Sequence, residues 1–92
     1  MPAVVQARFS REVLTEGLSR LPHVKMILVD QAGDRVSVWT VVDDFSLSVR
    51  KAIYAVQRHL IDEYHRFVRF EFHVIPDDGT TEIPKVPPLV TK

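Results

Sequence analysis

The segment 68–74 alternates strictly between apolar and ionisable side chains. Its residues are, in order, Val68, Arg69, Phe70, Glu71, Phe72, His73 and Val74. Successive side chains of a β-strand point to opposite faces of the sheet, so this alternation predicts a strand with one buried face and one charged face. The strand 67–75 therefore anchors the fold prediction, and its charged face is a candidate contact surface.

The length and charge of the chain narrow its class. Its 92 residues suit one domain. Twelve basic and twelve acidic residues balance to zero, whereas nucleic-acid-binding proteins usually carry a basic excess. Cysteine is absent, which excludes disulfides and thiolate metal sites. Apolar runs are far shorter than the roughly 20 residues that cross a bilayer, and no signal-peptide pattern is present. We therefore expect a cytoplasmic domain with no nucleic-acid partner and no membrane insertion.

A leucine stripe predicts the first helix, over residues 10–21. Three positions fall on one face of a 3.6-residue repeat: Leu14, Leu18 and Leu21. Ser10 can cap the helix, and Pro22 ends it. The preceding residues 3–9 either extend this helix or form an additional strand.

Two strands are predicted next, Val24–Asp30 and Arg35–Val42, around a short loop. Gly33 in that loop can take the positive φ that a tight hairpin requires. The second strand alternates, whereas the first is almost continuously apolar, which is typical of a strand covered on both faces.

A long helix, about Ser46–His65, follows Asp43 and Asp44, which suit the positive end of the helix dipole. Its buried stripe is predicted to contain Val49, Ile53, Val56, Leu60 and Tyr64. After the strand 67–75, a turn at 76–79 leads to a proline-containing tail. We expect one domain over residues 1–78 and an extended tail over 79–92.

The element order helix–strand–strand–helix–strand predicts an α+β fold, a two-layer αββαβ sandwich. The hairpin is antiparallel, and a right-handed helical crossover makes the second and third strands parallel. Both helices then cover one face of a three-stranded mixed sheet. A strand at residues 3–9 would make the fold ferredoxin-like, βαββαβ.

The other face of that sheet is the predicted contact surface. It is expected to display Ile27, Val29, Trp39, Val41, Arg69, Glu71 and His73. Trp and Arg are enriched among interface anchors, and an apolar patch on a bare sheet often marks a contact site. We expect a homodimer or a protein partner there. The alternative is that Trp39 lies in the core, because a register slip of one residue reverses every side chain.

Metal binding and catalysis have weaker support. The pairs Asp43-Asp44 and Asp77-Asp78 would meet at one sheet edge, where four carboxylates could bind a hard cation. A helix cap and a reverse turn explain the same pairs without a metal. His59 and Glu63, four residues apart on a helix, are interpreted as a surface pair. With three glycines, no dinucleotide or phosphate loop can be built, so we expect a non-enzymatic domain without a cofactor.

A family pattern runs from Pro22 to Pro76. Its features are the hairpin with Gly33, the helix entry Asp43–Leu47 and the strand end His73–Pro76. In these features the chain resembles the cytosolic C-terminal domain of cation diffusion facilitator metal transporters. The resemblance implies an αββαβ unit that dimerises. The second hypothesis is a metal-responsive regulatory domain that uses His73 with other histidines or with the aspartate pairs. Ile75 stands where that family usually has an acidic ligand.

Overall fold

The computed structural model describes residues 11–91. Its elements are α1 Arg11–Leu18, β1 Val24–Ala32, β2 Arg35–Val42, α2 Leu47–Tyr64, β3 Arg69–Pro76 and β4 Pro88–Thr91. The strands form one four-stranded mixed sheet in the order β3-β2-β1-β4. The α+β class and the two helices are confirmed. The fourth strand comes from the C-terminal segment, whereas the proposed strand at 3–9 and the Ser10 cap lie outside the described residues.

The strand pairings follow the predicted topology. β1 and β2 are antiparallel around a two-residue turn in which Gly33 has φ 64°, as a type II′ hairpin requires at its first central position. β2 and β3 are parallel and joined through α2, with Trp39 opposite His73. β4 pairs antiparallel with β1. The last described residues of the segment 79–92 therefore belong to the sheet.

Both helices pack on the same face of the sheet, called here the helix-covered face. The core on that face contains Leu14 and Leu18 of α1, Val49, Ile53 and Leu60 of α2, and Val36, Val38 and Val42 of β2. Phe70, Phe72 and Val74 of β3 pack against it and remain partly exposed. This arrangement confirms the predicted face for β2 and β3. None of the helices within residues 11–91 combines the length and apolarity needed to cross a bilayer.

The face assigned to β1 was wrong. Ile27 and Val29 were expected on the opposite face, but they are 0% and 5% exposed and lie in the helix-covered core. The register shifts between Val24, which pairs with Val42, and Met26, which pairs with Val41. Because of the extra residue at this bulge, the odd-numbered residues Ile27 and Val29 lie on the same face as Val24.

The opposite face, called here the outer face, has a small core of its own. Leu28, Val41 and Ile75 are buried there, with Met26, Trp39, Ile83 and Val86 packed against them. Ile83 and Val86 belong to the connection between β3 and β4, which therefore covers part of the face that was expected to be bare. Val41 lies on the predicted face but is only 2% exposed.

Candidate interaction site

A tryptophan, a histidine and a glutamate adjoin one another on the outer face. The Trp39 and His73 rings stack with centroids 5.6 Å apart and an interplanar angle of 14°. Glu71 Oε1 accepts a hydrogen bond from His73 Nε2 at 3.0 Å. The histidine and glutamate side chains are 42% and 55% exposed, and Trp39 is half-buried. The prediction that Trp39 points away from the helices is confirmed.

The outer face is divided at Trp39. Towards the C-terminal end of β2, the face is buried beneath Ile83 and Val86. Towards the hairpin turn the paired positions are polar, with Ser37 beside Glu71 and Arg35 beside Arg69. The predicted residues Arg69, Glu71 and His73 therefore lie on the open, polar half, all on β3.

β3 lies at the edge of the sheet. Two hydrogen bonds show which of its backbone N–H and C=O groups point towards β2. The N–H of Arg69 donates to the Asp34 carbonyl, and the N–H of Asp77 donates to the Val42 carbonyl, both at 2.7 Å. Because backbone groups alternate sides along a strand, odd-numbered residues of β3 face β2. The N–H and C=O groups of Phe72 and Val74 consequently point outward. Within residues 11–91 no other strand lies along this edge.

An exposed apolar stripe, which was not predicted from the sequence, runs along α2. Leu47, Tyr54 and Ile61, at intervals of seven residues, are 57%, 46% and 42% exposed. The sequence interpretation placed Ile61 beside the buried stripe and treated the outer side of the helix as solvated. The seven-residue spacing was the available signal, since such a spacing keeps residues on one side of a helix.

The stripe lies above the outer edge of β3. α2 contacts β3, whereas α1 contacts β1 and β4. Val56, His59 and Glu63 of α2 line the groove that faces α1. At 3.6 residues per turn, the stripe lies on the side of α2 opposite those residues, away from α1. The outer edge of β3 together with Leu47, Tyr54 and Ile61 is called here the β3 margin.

The aspartate pairs have ordinary structural partners. Asp43 accepts a hydrogen bond from His23 Nδ1 at 2.8 Å and lies 3.6 Å from Lys25 Nζ. The His23 hydrogen bond lowers the pKa of the Asp43 carboxyl, and the Lys25 charge adds to this effect. Asp44 accepts from the N–H of Ser46 at the start of α2.

Asp78 organises the turn after β3. Its carboxylate accepts hydrogen bonds from the backbone N–H groups of Thr80 and Thr81, at 2.9 and 2.8 Å, and from the Thr81 hydroxyl. The hydrogen bond from the Thr80 backbone is the largest of several that lower the pKa of Asp78 to about 2. In the part of the chain that the structure describes, no group of three or more His, Asp or Glu side chains could hold a metal ion.

A groove lies between α1 and α2. Its volume is about 350 Å³, and its lining includes Glu16, Arg20, His59 and Glu63. His59 Nε2 lies 3.0 Å from Glu63 Oε2, the surface pair that the spacing indicated. Both side chains are more than half exposed, so the pair has little energetic weight.

No family model, curated protein or solved structure matches this chain.

Proposed function

We propose that this chain is a non-enzymatic cytosolic domain that forms a homodimer through the β3 margin. The observation that carries the proposal is the combination of outward backbone groups at Phe72 and Val74 with an exposed apolar stripe on the adjoining helix. An open strand edge is a template for pairing with another strand. Apolar surface beside it supplies the burial that a stable association needs.

The charges of β3 favour a second copy as the occupant. Its outer-face positions carry Arg69, Glu71 and His73, so a basic residue, an acidic residue and a histidine follow one another. When such a strand is placed antiparallel beside its own copy, Glu71 can oppose either His73 or Arg69 of the second copy, depending on the register. Electrostatic complementarity of this kind selects partner and register.

Two basic residues of α2 interleave with the stripe, Lys51 and Arg58. Their long aliphatic stems can cover apolar surface while the charged groups stay in water. Lys51 and Arg58 therefore do not prevent burial of Tyr54 and Ile61. We expect the paired strand edges, rather than contacts between the two copies of α2, to set the geometry of the dimer.

Light scattering of the purified chain at tens of micromolar tests the proposal. We expect twice the monomer mass for the wild type and the monomer mass for Ile61→Glu, because that variant places a charge in the apolar stripe. Ala55→Glu is the matched control, since it introduces the same charge at an exposed position of the same helix outside the stripe. A monomeric wild type overturns the proposal, as does an equal effect of the two glutamates.

Trp39→Ala distinguishes the β3 margin from the outer face. Trp39 lies on β2 and takes no part in the β3 margin, so this variant should remain dimeric. Dissociation by Trp39→Ala with retained dimerisation of Ile61→Glu would place the interface on the outer face instead. Circular dichroism of each variant verifies that the fold is retained.

A further inference from the structure

We infer that the two copies pair as antiparallel β3 strands with the two-fold axis at Phe72, joining two four-stranded sheets into one continuous sheet. This inference rests on the proposed homodimer and specifies its geometry. The inference is argued from the limits of the outward-facing backbone ladder, the charges on the outer face and the apolar side chains on the helix-covered face.

The limits of the ladder are symmetric about Phe72. On the N-terminal side, the N–H of Val68 already donates to the Tyr64 carbonyl at 3.1 Å. On the C-terminal side, Pro76 has no N–H to donate. Val68 and Pro76 are even-numbered like Phe72, so their backbone groups lie on the same side of the strand, and each is four residues from Phe72. An antiparallel ladder bounded by these two positions is centred on Phe72. A ladder centred on Phe70 would extend to Val68, whose N–H is already used.

The charges disfavour an axis at Glu71, whereas the limits of the ladder decide between the axes at Phe70 and Phe72. In an antiparallel pair, a two-fold axis at Phe72 places Glu71 opposite His73 of the second copy. An axis at Glu71 would place the two glutamates directly against each other, which is unfavourable. The existing contact of Glu71 with His73 within one strand would then extend into a cluster of two glutamates and two histidines across the axis.

The apolar side chains are consistent with this register. Phe72 and Val74 are half-buried on the helix-covered face of β3. With the axis at Phe72, the two Phe72 side chains oppose each other beneath the paired stripes of α2. Aromatic pairs across neighbouring strands stabilise a sheet.

Cysteine cross-linking tests the register, because the chain contains no cysteine. Glu71→Cys and His73→Cys are purified separately, mixed under reducing conditions to allow subunit exchange, and then oxidised. Directly opposed residues in a non-hydrogen-bonded pair have Cα atoms about 4.5 Å apart, within the range that a disulfide spans. We expect the mixed disulfide as the main product, identified by mass spectrometry, and little cross-linking of either variant alone.

Other products overturn the inference. Efficient cross-linking of Glu71→Cys with itself indicates an axis at Glu71, and cross-linking of Arg69→Cys with Glu71→Cys indicates an axis at Phe70. In either case the homodimer stands and the register is wrong. A monomeric wild type in light scattering removes the proposed function itself, so the two failures are distinguishable.

Amide hydrogen exchange of the unmodified chain provides a second test that needs no substitution on the charged face. At concentrations where the chain is dimeric, the amides of Phe72 and Val74 should exchange more slowly than after dilution to monomer. The amide of Asp77, which donates within the monomer, is the internal control. Unchanged exchange at Phe72 and Val74 in the dimer rules out pairing through this edge.

Discussion

The indole ring of Trp39 lies nearly parallel to the imidazole ring of His73, with centroids 5.6 Å apart. The two residues are directly paired in the parallel ladder of β2 and β3. Trp39 also packs against the buried cluster of Leu28, Val41 and Ile75. It therefore joins the covered half of the outer face to the open, charged half, and His73 covers one face of its ring.

Removing the imidazole should expose the indole. We expect His73→Ala to shift the fluorescence of the single tryptophan to longer wavelength and to lower the free energy of unfolding by about 0.5–1.5 kcal/mol, the usual contribution of a stacked pair. His65→Ala, at the exposed C-cap of α2, is the control and should leave the emission unchanged. Equal spectra for the wild type and His73→Ala would show that the stacking does not persist in solution.

The cover over the outer face should contribute measurably to stability. Ile83 packs against the cluster of Leu28, Val41 and Ile75, so Ile83→Asp places a charge against apolar side chains. We expect the free energy of unfolding, measured by urea titration, to fall by about 1–3 kcal/mol. Lys85→Asp, at an exposed position of the same connection, should change it little. Equal effects of the two aspartates would mean that the connection does not cover this face in solution.

Strict alternation of apolar and polar residues allowed the buried faces of β2 and β3 to be predicted. β1 lacks this alternation, and its face was predicted wrongly. In β3, every second residue is apolar between Val68 and Val74, so a single face assignment is consistent with the pattern. In β1, apolar residues occupy nearly every position from Val24 to Val29, and both faces of the strand are in fact covered. Such a strand carries no pattern that fixes its face, so the bulge beside Lys25 could not be located from the sequence.

The fourth strand, β4, was not predicted, for a different reason. Pro88 opens β4, and prolines nearby favoured an unpaired tail. Proline is tolerated at the first residue of an edge strand, where a missing N–H costs no ladder bond. The pairing of β4 with β1 spans more than fifty residues of sequence, from Ile27 to Val90. No local signal encodes a contact at that separation.

The Asp78 turn should give stability a specific acid dependence. Hydrogen bonds from Thr80 and Thr81 lower the pKa of Asp78 from 3.8 to about 2. Because the folded-state pKa is depressed, its contribution is complete above the unfolded value and is lost as the pH falls through the folded one. Thermal melting should therefore show Asp78→Ala below the wild type at neutral pH, with the difference disappearing towards pH 2.

Asp77→Ala is the neighbouring control for the turn. In the structure Asp77 contributes its backbone N–H to the sheet, and that group survives the substitution. A difference between the wild type and Asp78→Ala that stayed constant from neutral pH down to pH 2 would contradict the hydrogen-bonded carboxylate.

The core contains one hydroxyl group whose replacement should stabilise the fold. Thr40 is 0% exposed on the helix-covered face, and its Oγ1 has no hydrogen-bond partner within residues 11–91. Burying an unpartnered hydroxyl costs about 1–3 kcal/mol, and valine has nearly the same shape without that group. We expect Thr40→Val to raise the free energy of unfolding by about 1 kcal/mol in urea titration. Thr40→Ala should lower it, because removing the methyl group leaves a cavity between the sheet and the helices. A loss of stability in Thr40→Val would show that the hydroxyl group is hydrogen-bonded in the folded protein.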